Sequence, residues 1–361
     1  MRLRALFAAV IAVACGGAPA RSQARSDDAL RVPPGFKIAV FAENLPNVRF
    51  MTLGPGNVVY ASQPGSGVVV KLIDANHDGV LDSVVTVASG LKGAFGIAFR
   101  GDTMYVAGEL ELVRYDPGVR EPKTLLRLPR SGHSTRTIVF GPDGKLYVAV
   151  GSSCNVCDER DSMRAAVTQF NADASGGRIF ARGLRNTVGL AFNPKTGELW
   201  GGNNDRDNLG DDAPPEHINI IKDGRNYGWP ECYLPGKPNP EYGSANCSNV
   251  EPPAITIQAH SAPLGIAFYT GTQFPREYRG DAFVTLHGSW NRSVPTGAKV
   301  VRVEVDSAGR RAVGVEDFIV GWQRPDGSRW GRPVGLLVLP DGSLLVSDDM
   351  GGKIWRVSYG R

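Results

Sequence analysis

No stretch of this chain is apolar for long enough to cross a bilayer as a helix, which takes about 20 residues. The longest, ALFAAVIAVA, covers only residues 5–14. Lys and Arg never run to five in a row, and the formal net charge is only +4. That removes the electrostatic footprint of a nucleic-acid partner. A 3.6-residue apolar period does not persist beyond a turn or two, which argues against a helical bundle. Cysteine is scarce, with five in 361 residues. Cys157 is followed by Asp158, so the CxxC at 154–157 is no haem attachment site, and one CxxC without a second pair is poor for zinc. What is abundant is turn formers: 45 Gly and 25 Pro, against roughly 12 % of residues in average usage. They follow no Gly-X-Y period, so collagen is excluded and a β-rich, turn-rich domain is expected.

The first two dozen residues read as an address. A basic start, MRLR, precedes the apolar stretch, and small residues follow at Ala18, Ala20, Ser22 and Ala24. Residues 1–24 are expected to be a secretory signal peptide. Cys15, in AVACGG, either marks a lipoprotein cleavage site or is discarded with the signal. Export, to the periplasm or to a membrane tether at Cys15, is expected. The remaining cysteines form an even set that reads as two disulfides, Cys154–Cys157 and Cys232–Cys247 in sequential pairing.

The body repeats one hairpin. Its clearest copies are IVFGPDGKLYVAVG at 138–151 and LLVLPDGSLLVSDD at 336–349. Pro presets φ for the turn and Gly accepts a positive φ. Weaker copies lie at 51–62, 97–108, 190–203 and 266–288. Their spacing, lengthened by insertions at about 203–260, matches the roughly 40–50 residues of a four-stranded propeller blade. The fold expected over residues 30–361 is all-β, a six-bladed β-propeller, with the final KIWRVSY strand closing against residues near 36–41. Few strand signals are legible in 203–260.

Several clusters carry possible chemistry. DANHDGVLD at 74–82 puts Asp74, Asn76, Asp78 and Asp82 at positions 1, 3, 5 and 9 of a calcium loop. Gly79 stands at position 6 and the Val80 carbonyl at position 7. With Val85 at position 12 it is no EF-hand, and a merely polar turn is the plainer reading. RGLRNTVGLAF at 182–192 sets Arg185 and Asn186 ahead of a hairpin, where they offer fixed donors to carboxylates or quinone oxygens. NNDRDNLGDDAPPE at 203–216 concentrates hard oxygen ligands. His133 precedes the third hairpin, at the same rim, as a possible general base. His287, in LHGSWNR, and His260 are further rim candidates.

Taken together, GLRNTVGLAFNPKTGELW, NNDRDNLGDDAPPE, NYGWP, GDAFVTLHGSWNRSVPTG and WGRPVGLLVLPDGSLLVSDD resemble the soluble glucose/sorbosone dehydrogenase family, in its sorbosone-dehydrogenase-like branch. Those proteins are six-bladed propellers that use pyrroloquinoline quinone (PQQ). The resemblance implies that His133 is the base that removes the substrate hydroxyl proton as hydride passes to the quinone. It also implies that Arg185 and Asn186 face the reactive quinone carbonyl, and that the backbone carbonyls of Asp205 and Arg206 hold a Ca²⁺ ion. Arg332, with Arg292 or Lys299, would engage PQQ carboxylates. Two departures stand out: Gly132 precedes the base where the glucose-oxidising members carry an acid, and Val188 replaces a polar residue.

The function expected is PQQ-dependent oxidation of an aldose or a sugar aldehyde such as sorbosone. Without a haem motif, electrons would pass to a separate acceptor, a cytochrome or a quinone. Two alternatives differ in what they require. A calcium-dependent lactonase-type propeller needs acidic ligands converging on the axis from several blades. A non-catalytic propeller that binds sugar or protein fits if His133 and Arg185 do not address one cavity.

Overall fold

A Pro-Asp-Gly turn between two short alternating segments commits the chain to a tight antiparallel hairpin. The structure, a computed structural model, describes residues 29–360 and builds six blades on such hairpins. The expected signal peptide, residues 1–24, and Cys15 lie outside the described residues. After β1 (Phe36–Ala42), the first blade runs β2 (Met51–Leu53), β3 (Val59–Gln63), β4 (Val68–Ile73) and β5 (Ser83–Ala88). The second holds β6 (Gly96–Arg100), β7 (Thr103–Ala107), β8 (Glu111–Tyr115) and β9 (Lys123–Arg127). The third holds β10 (Arg136–Phe140), β11 (Leu146–Val150), β12 (Ala166–Phe170) and β13 (Arg178–Arg182).

The fourth blade is β14 (Thr187–Phe192), β15 (Leu199–Asn203), β16 (Glu216–Ile221) and, after a side hairpin β17 (Cys232–Leu234) and β18 (Lys237–Pro238), β19 (Ile255–Ile257). The fifth is β20 (Pro263–Phe268), β21 (Ala282–Leu286), β22 (Lys299–Val305) and β23 (Ala312–Ile319). The sixth is β24 (Pro333–Val338), β25 (Leu344–Asp348) and β26 (Lys353–Tyr359), with β1 as its outermost strand. Phe36 stands opposite Tyr359 and Ala42 opposite Ile354, so the expected closure is present. Among the described residues there is no α-helix.

One expectation needs correction. The segment 203–260 is not a largely strandless insertion: β16 and β19 are the regular third and fourth strands of blade four. Their signal is masked because β16, though buried along most of its length, carries Glu216, His217 and Asn219 among its isoleucines, so it shows neither the apolar run of a buried strand nor the alternation of a surface one. The true insertion climbs beside β13, with Tyr227 N–H donating to the Arg182 carbonyl at 2.9 Å and Trp229 N–H to that of Gly183 at 3.2 Å. The Cys232–Cys247 disulfide closes it.

The innermost strands enclose a narrow axial cavity of about 100 Å³, lined by Phe50, Ile97, Thr137, Leu190, Ile266 and Leu336 among others. Blade-to-blade hydrogen bonds tie this ring, from Thr137 Oγ1 to the Val188 carbonyl at 2.5 Å and from Thr285 Oγ1 to that of Val334 at 2.6 Å. Val188 packs with buried Leu264 and Val334. Its apolar character is therefore explained by the plug of the ring.

Candidate active site

In a four-stranded blade, the start of the innermost strand and the end of the second lie at the same end of the ring. Arg49, His133, Arg185 and Arg332 stand just ahead of β2, β10, β14 and β24. Ser152, Asn204, His287 and Asp349 stand just after β11, β15, β21 and β25. All eight therefore belong to one face. The 74–82 loop joins β4 to β5, third strand to fourth, and so lies on the opposite face.

His133 is fixed by its neighbours. Its Nδ1 lies 2.9 Å from the Ser152 carbonyl, which selects the Nδ1–H tautomer and leaves Nε2 with a free lone pair. The loop that carries it is wrapped by two arginines: Arg136 Nη2 donates to the Pro129 carbonyl at 2.7 Å, and Arg164 Nη2 to that of Arg130 at 2.6 Å. Burial, then the charge of Arg185, pushes His133 down to about 4, and Arg164 and Arg136 act in the same sense. The imidazole is therefore neutral at physiological pH.

Gly132 and Gly151 make this geometry possible. Gly132 has φ +68°, and a Cβ there would lie 2.4 Å from Ser153 Cα. An acid beside the base is sterically excluded, and Ser152 orients the ring instead. A Cβ on Gly151 would lie 2.4 Å from Asn186 Oδ1 and 2.8 Å from His133 Cβ. The glycine is what lets these two side chains approach each other.

Arg185 is buried, and every N–H of its guanidinium has a partner. Nε donates to the Asn155 carbonyl at 3.1 Å, and Nη1 to the carbonyls of Asp205 at 2.6 Å and Asn204 at 3.4 Å. Nη2 donates to Asn155 Oδ1 and Asp207 Oδ2, both at 3.0 Å. It thus offers charge, while the Asn186 side-chain amide beside it makes no hydrogen bond among the described residues. Asp207 Oδ1 also accepts from Asn291 Nδ2 at 2.9 Å.

The Asp205–Arg206 segment departs from what the resemblance implied. The Asp205 carbonyl already faces the Arg185 guanidinium, so a dication on that oxygen would sit against a positive charge. As arranged, the donor set does not fit Ca²⁺. The Arg206 side chain turns away, with Nη1 2.6 Å from Glu241 Oε2. Sequence reasoning missed Glu216, whose carboxylate accepts from Asp205 N–H at 2.8 Å and Ala262 N–H at 3.1 Å and so joins blades four and five. Burial raises it to about 8.

Across the face lies a second group. His287 Nε2 is 3.0 Å from Asp349 Oδ1, and Arg49 Nη1 is 3.1 Å from Asp349 Oδ2. Burial holds His287 at about 4 despite Asp349, so this contact is a neutral imidazole N–H donating to a carboxylate. Arg332 Nε donates to the His287 carbonyl at 3.0 Å, and Arg329 Nη2 to that of Ser289 at 2.8 Å. Arg329, Arg332 and Asp349 line one open cavity with Asn47, while Arg49 and Ser134 line its neighbour, also with Asn47. Arg49 and Arg329 were missed from the sequence. The available signal for Arg49 was its place ahead of an inner strand, the same place that Arg185 and Arg332 occupy.

The other expected carboxylate ligands are engaged elsewhere. Arg292 Nη1 pairs with Asp212 Oδ1 at 3.0 Å, and Lys299 with Asp317 on the outermost strand of its blade at 2.5 Å. His260 has both ring nitrogens occupied, Nε2 at 2.8 Å from the Gly210 carbonyl and Nδ1 at 3.3 Å from Asn291 Nδ2.

Comparison with known proteins agrees with this architecture. A family model described as TrAA12-like matches residues 30–240 and 235–360. The chain belongs to this family. A protein of Borreliella burgdorferi described only as uncharacterized is 33 % identical over 355 residues, covering 91 % of each chain. The pyrroloquinoline quinone-dependent pyranose dehydrogenase of Coprinopsis cinerea is 25 % identical over 96 % of this chain, which spans 56 % of that protein's length. A calcium structure of a Trichoderma reesei family AA12 protein superposes with a TM-score of 0.81 at 21 % identity, covering 92 % of this chain and 98 % of that one. At that identity the likeness shows the fold. The family expected from the sequence, the soluble PQQ-dependent sugar dehydrogenases, is the one to which these TrAA12-like relatives point.

Proposed function

We propose that the chain oxidises a sugar, a pyranose or a sugar aldehyde, with PQQ held on the face that carries His133, Arg185 and Arg332. The chain is an oxidoreductase. The residues present suit a flat, anionic quinone. Arg49 Nε and Arg329 Nε are buried donors without a partner, and with Arg332 they would hold carboxylates. The Asn186 amide and His133 Nε2 are free on the same face. When bound, PQQ supplies a two-electron acceptor for hydride.

The chain's own part is proton transfer and electrostatics. The substrate hydroxyl proton goes to His133 Nε2, because Nδ1–H is committed to the Ser152 carbonyl. Arg185 keeps a fixed positive charge beside the ring, so the imidazole stays unprotonated until it takes that proton. The observation that carries this reading is the locked, neutral His133 packed against Asn186 at Gly151. The lactonase alternative loses its support at the axis, whose lining residues include no carboxylate.

We assign calcium to the 74–82 loop and a structural role to it. Asp74 Oδ1 there is a buried acceptor without a partner, while Asp74 Oδ2 accepts from Gly79 N–H at 3.0 Å and Asp82 Oδ2 from Ala75 N–H at 2.7 Å. In this reading the protein is exported, which the two disulfides favour, and it hands electrons to a separate cytochrome or quinone. The test is an absorbance titration of purified protein with PQQ, followed by dye reduction across a panel of aldoses and sugar aldehydes. Saturable binding with sugar-dependent reduction is expected. Lactone hydrolysis without PQQ binding would overturn the reading.

A further inference from the structure

The two disulfides sit in different surroundings. Cys232 and Cys247 are buried with Val250 in a small apolar cluster inside the insertion. Cys154 and Cys157 are half-buried at the site and enclose only Asn155 and Val156. Asn155 makes five hydrogen bonds to three residues from three separate segments. Its carbonyl accepts from Arg185 Nε at 3.1 Å and from Trp229 Nε1 at 3.0 Å. Its Oδ1 accepts from Arg185 Nη2 at 3.0 Å and from Asp207 N–H at 2.8 Å. Its Nδ2 donates to the Asp207 carbonyl at 3.0 Å. Two of the five Arg185 donors therefore end on this one residue. At the other end of the same loop, the Ser152 carbonyl holds His133, and Ser152 Oγ donates to the Cys154 carbonyl at 2.6 Å.

We propose that Asn155 is the positioning residue for Arg185, and that the Cys154–Cys157 disulfide serves the site by holding Asn155 in place. A four-residue ring leaves Asn155 little freedom to swing its carbonyl or its amide. It can then fix the guanidinium plane and the Asp207 backbone together. Trp229 anchors the ring from the insertion side. Asn155 touches none of the reacting atoms; it acts through Arg185. This inference rests on the PQQ-dehydrogenase reading above.

The test uses Asn155→Ala and the double variant Cys154→Ser/Cys157→Ser in the full chain, with His133→Ala alongside. Loss of a positioning partner typically costs about 10–100-fold in affinity or activity. Asn155→Ala is expected to bind PQQ at least about tenfold more weakly and to lose about tenfold in kcat at saturating PQQ, with the sugar KM changed less than about threefold. In the apoprotein, amide exchange at Asp207 should quicken at least about tenfold, while Ser152 N–H, held by the Arg185 carbonyl, keeps its protection. The double cysteine variant should move the same readouts in the same direction with its melting temperature nearly unchanged. It keeps every Asn155 atom, so it decides the matter if Asn155→Ala fails to fold. Wild-type PQQ affinity, kcat and exchange in both variants, with His133→Ala inactive, would overturn this inference alone. Full turnover in His133→Ala would instead overturn the functional reading.

Discussion

The rim between blades three and four and the seam between blades five and six are built from opposite materials. At the seam, Phe36 of β1 meets Phe274, Tyr278 and Phe318 edge-on, with ring centroids 4.8, 5.1 and 5.1 Å away. Trp322 and Ile319 are fully buried beside them. Such contacts are non-directional and sum by area. At the rim, Arg185, Asn155 and Asp207 are joined to one another, and His133 to the Ser152 carbonyl, by hydrogen bonds with fixed directions. The difference teaches that the seam holds the ring shut while the rim holds a geometry. A change at the first should cost stability, and a change at the second should cost function.

The sharpest way to break that contrast is His133→Ala. It should fold and still bind PQQ, judged by absorbance, yet lose sugar-dependent dye reduction by about 10²–10⁴-fold, the usual contribution of a general base. Retention of more than about a tenth of the turnover would move the base elsewhere, with His287 next.

Phe36→Ala tests the other side. It empties the closing seam and should lower unfolding free energy by about 3–5 kcal/mol in denaturant titration, leaving kcat per folded molecule unchanged. A fall in kcat with stability intact would mean that the seam is not merely structural.

A third prediction concerns pH. His133, held at about 4 by burial and by Arg185, must be neutral to act. The acid limb of kcat/KM should therefore lie near pH 4, not near the ordinary 6.5. Arg185→Ala removes a neighbouring charge and should move that limb upward. The same groups set a stability trend. Between pH 6.5 and about 4 the unfolded chain protonates His133 and His287 while the folded chain does not, so their contribution to stability should fall as pH falls through that window, opposed by Glu216, which the folded chain keeps protonated below about 8. A pH dependence of the melting temperature that is unchanged in His133→Ala would contradict the placement of His133.

The smallest effect is expected on the far face. Replacing Asp74 and Asp78 together by Ala should lower the melting temperature in the presence of Ca²⁺ and abolish its sensitivity to a chelator. The rate per folded molecule should barely change. Loss of activity at unchanged stability would make that loop part of the site.

Much of the ring was legible because each blade repeats its own local grammar. The PDG turns, alternating strands and closing KIWRVSY segment depend on neighbours in sequence, and they form β10–β11, β24–β25 and β26–β1 as expected. β16 was not legible, because its polar residues are satisfied or sequestered by the fold and not by alternation. At the site, His133, Arg185, Asn186 and Arg332 were readable from their position ahead of inner strands and from the family strings. Arg49, Arg329, Asn155 and Glu216 were not, since each gains its role from a partner in another blade or loop.

The sequence by itself determined the hairpin count, the blade length and the cysteine pairing, all of which rest on short-range spacing, and it offered His133 as the candidate base through the family resemblance. Only the tertiary structure decided who neighbours whom around the ring. It placed Arg185 on the Asp205 carbonyl where calcium was expected, and it drew Arg292 and Lys299 into ion pairs with Asp212 and Asp317. It explained Gly132 by the approach of Ser153, and it put the 74–82 loop on the face opposite His133. The physical reason is that hydrogen-bond donors and charges take the nearest complementary group. Which group is nearest depends on how six blades close, and no local pattern encodes that.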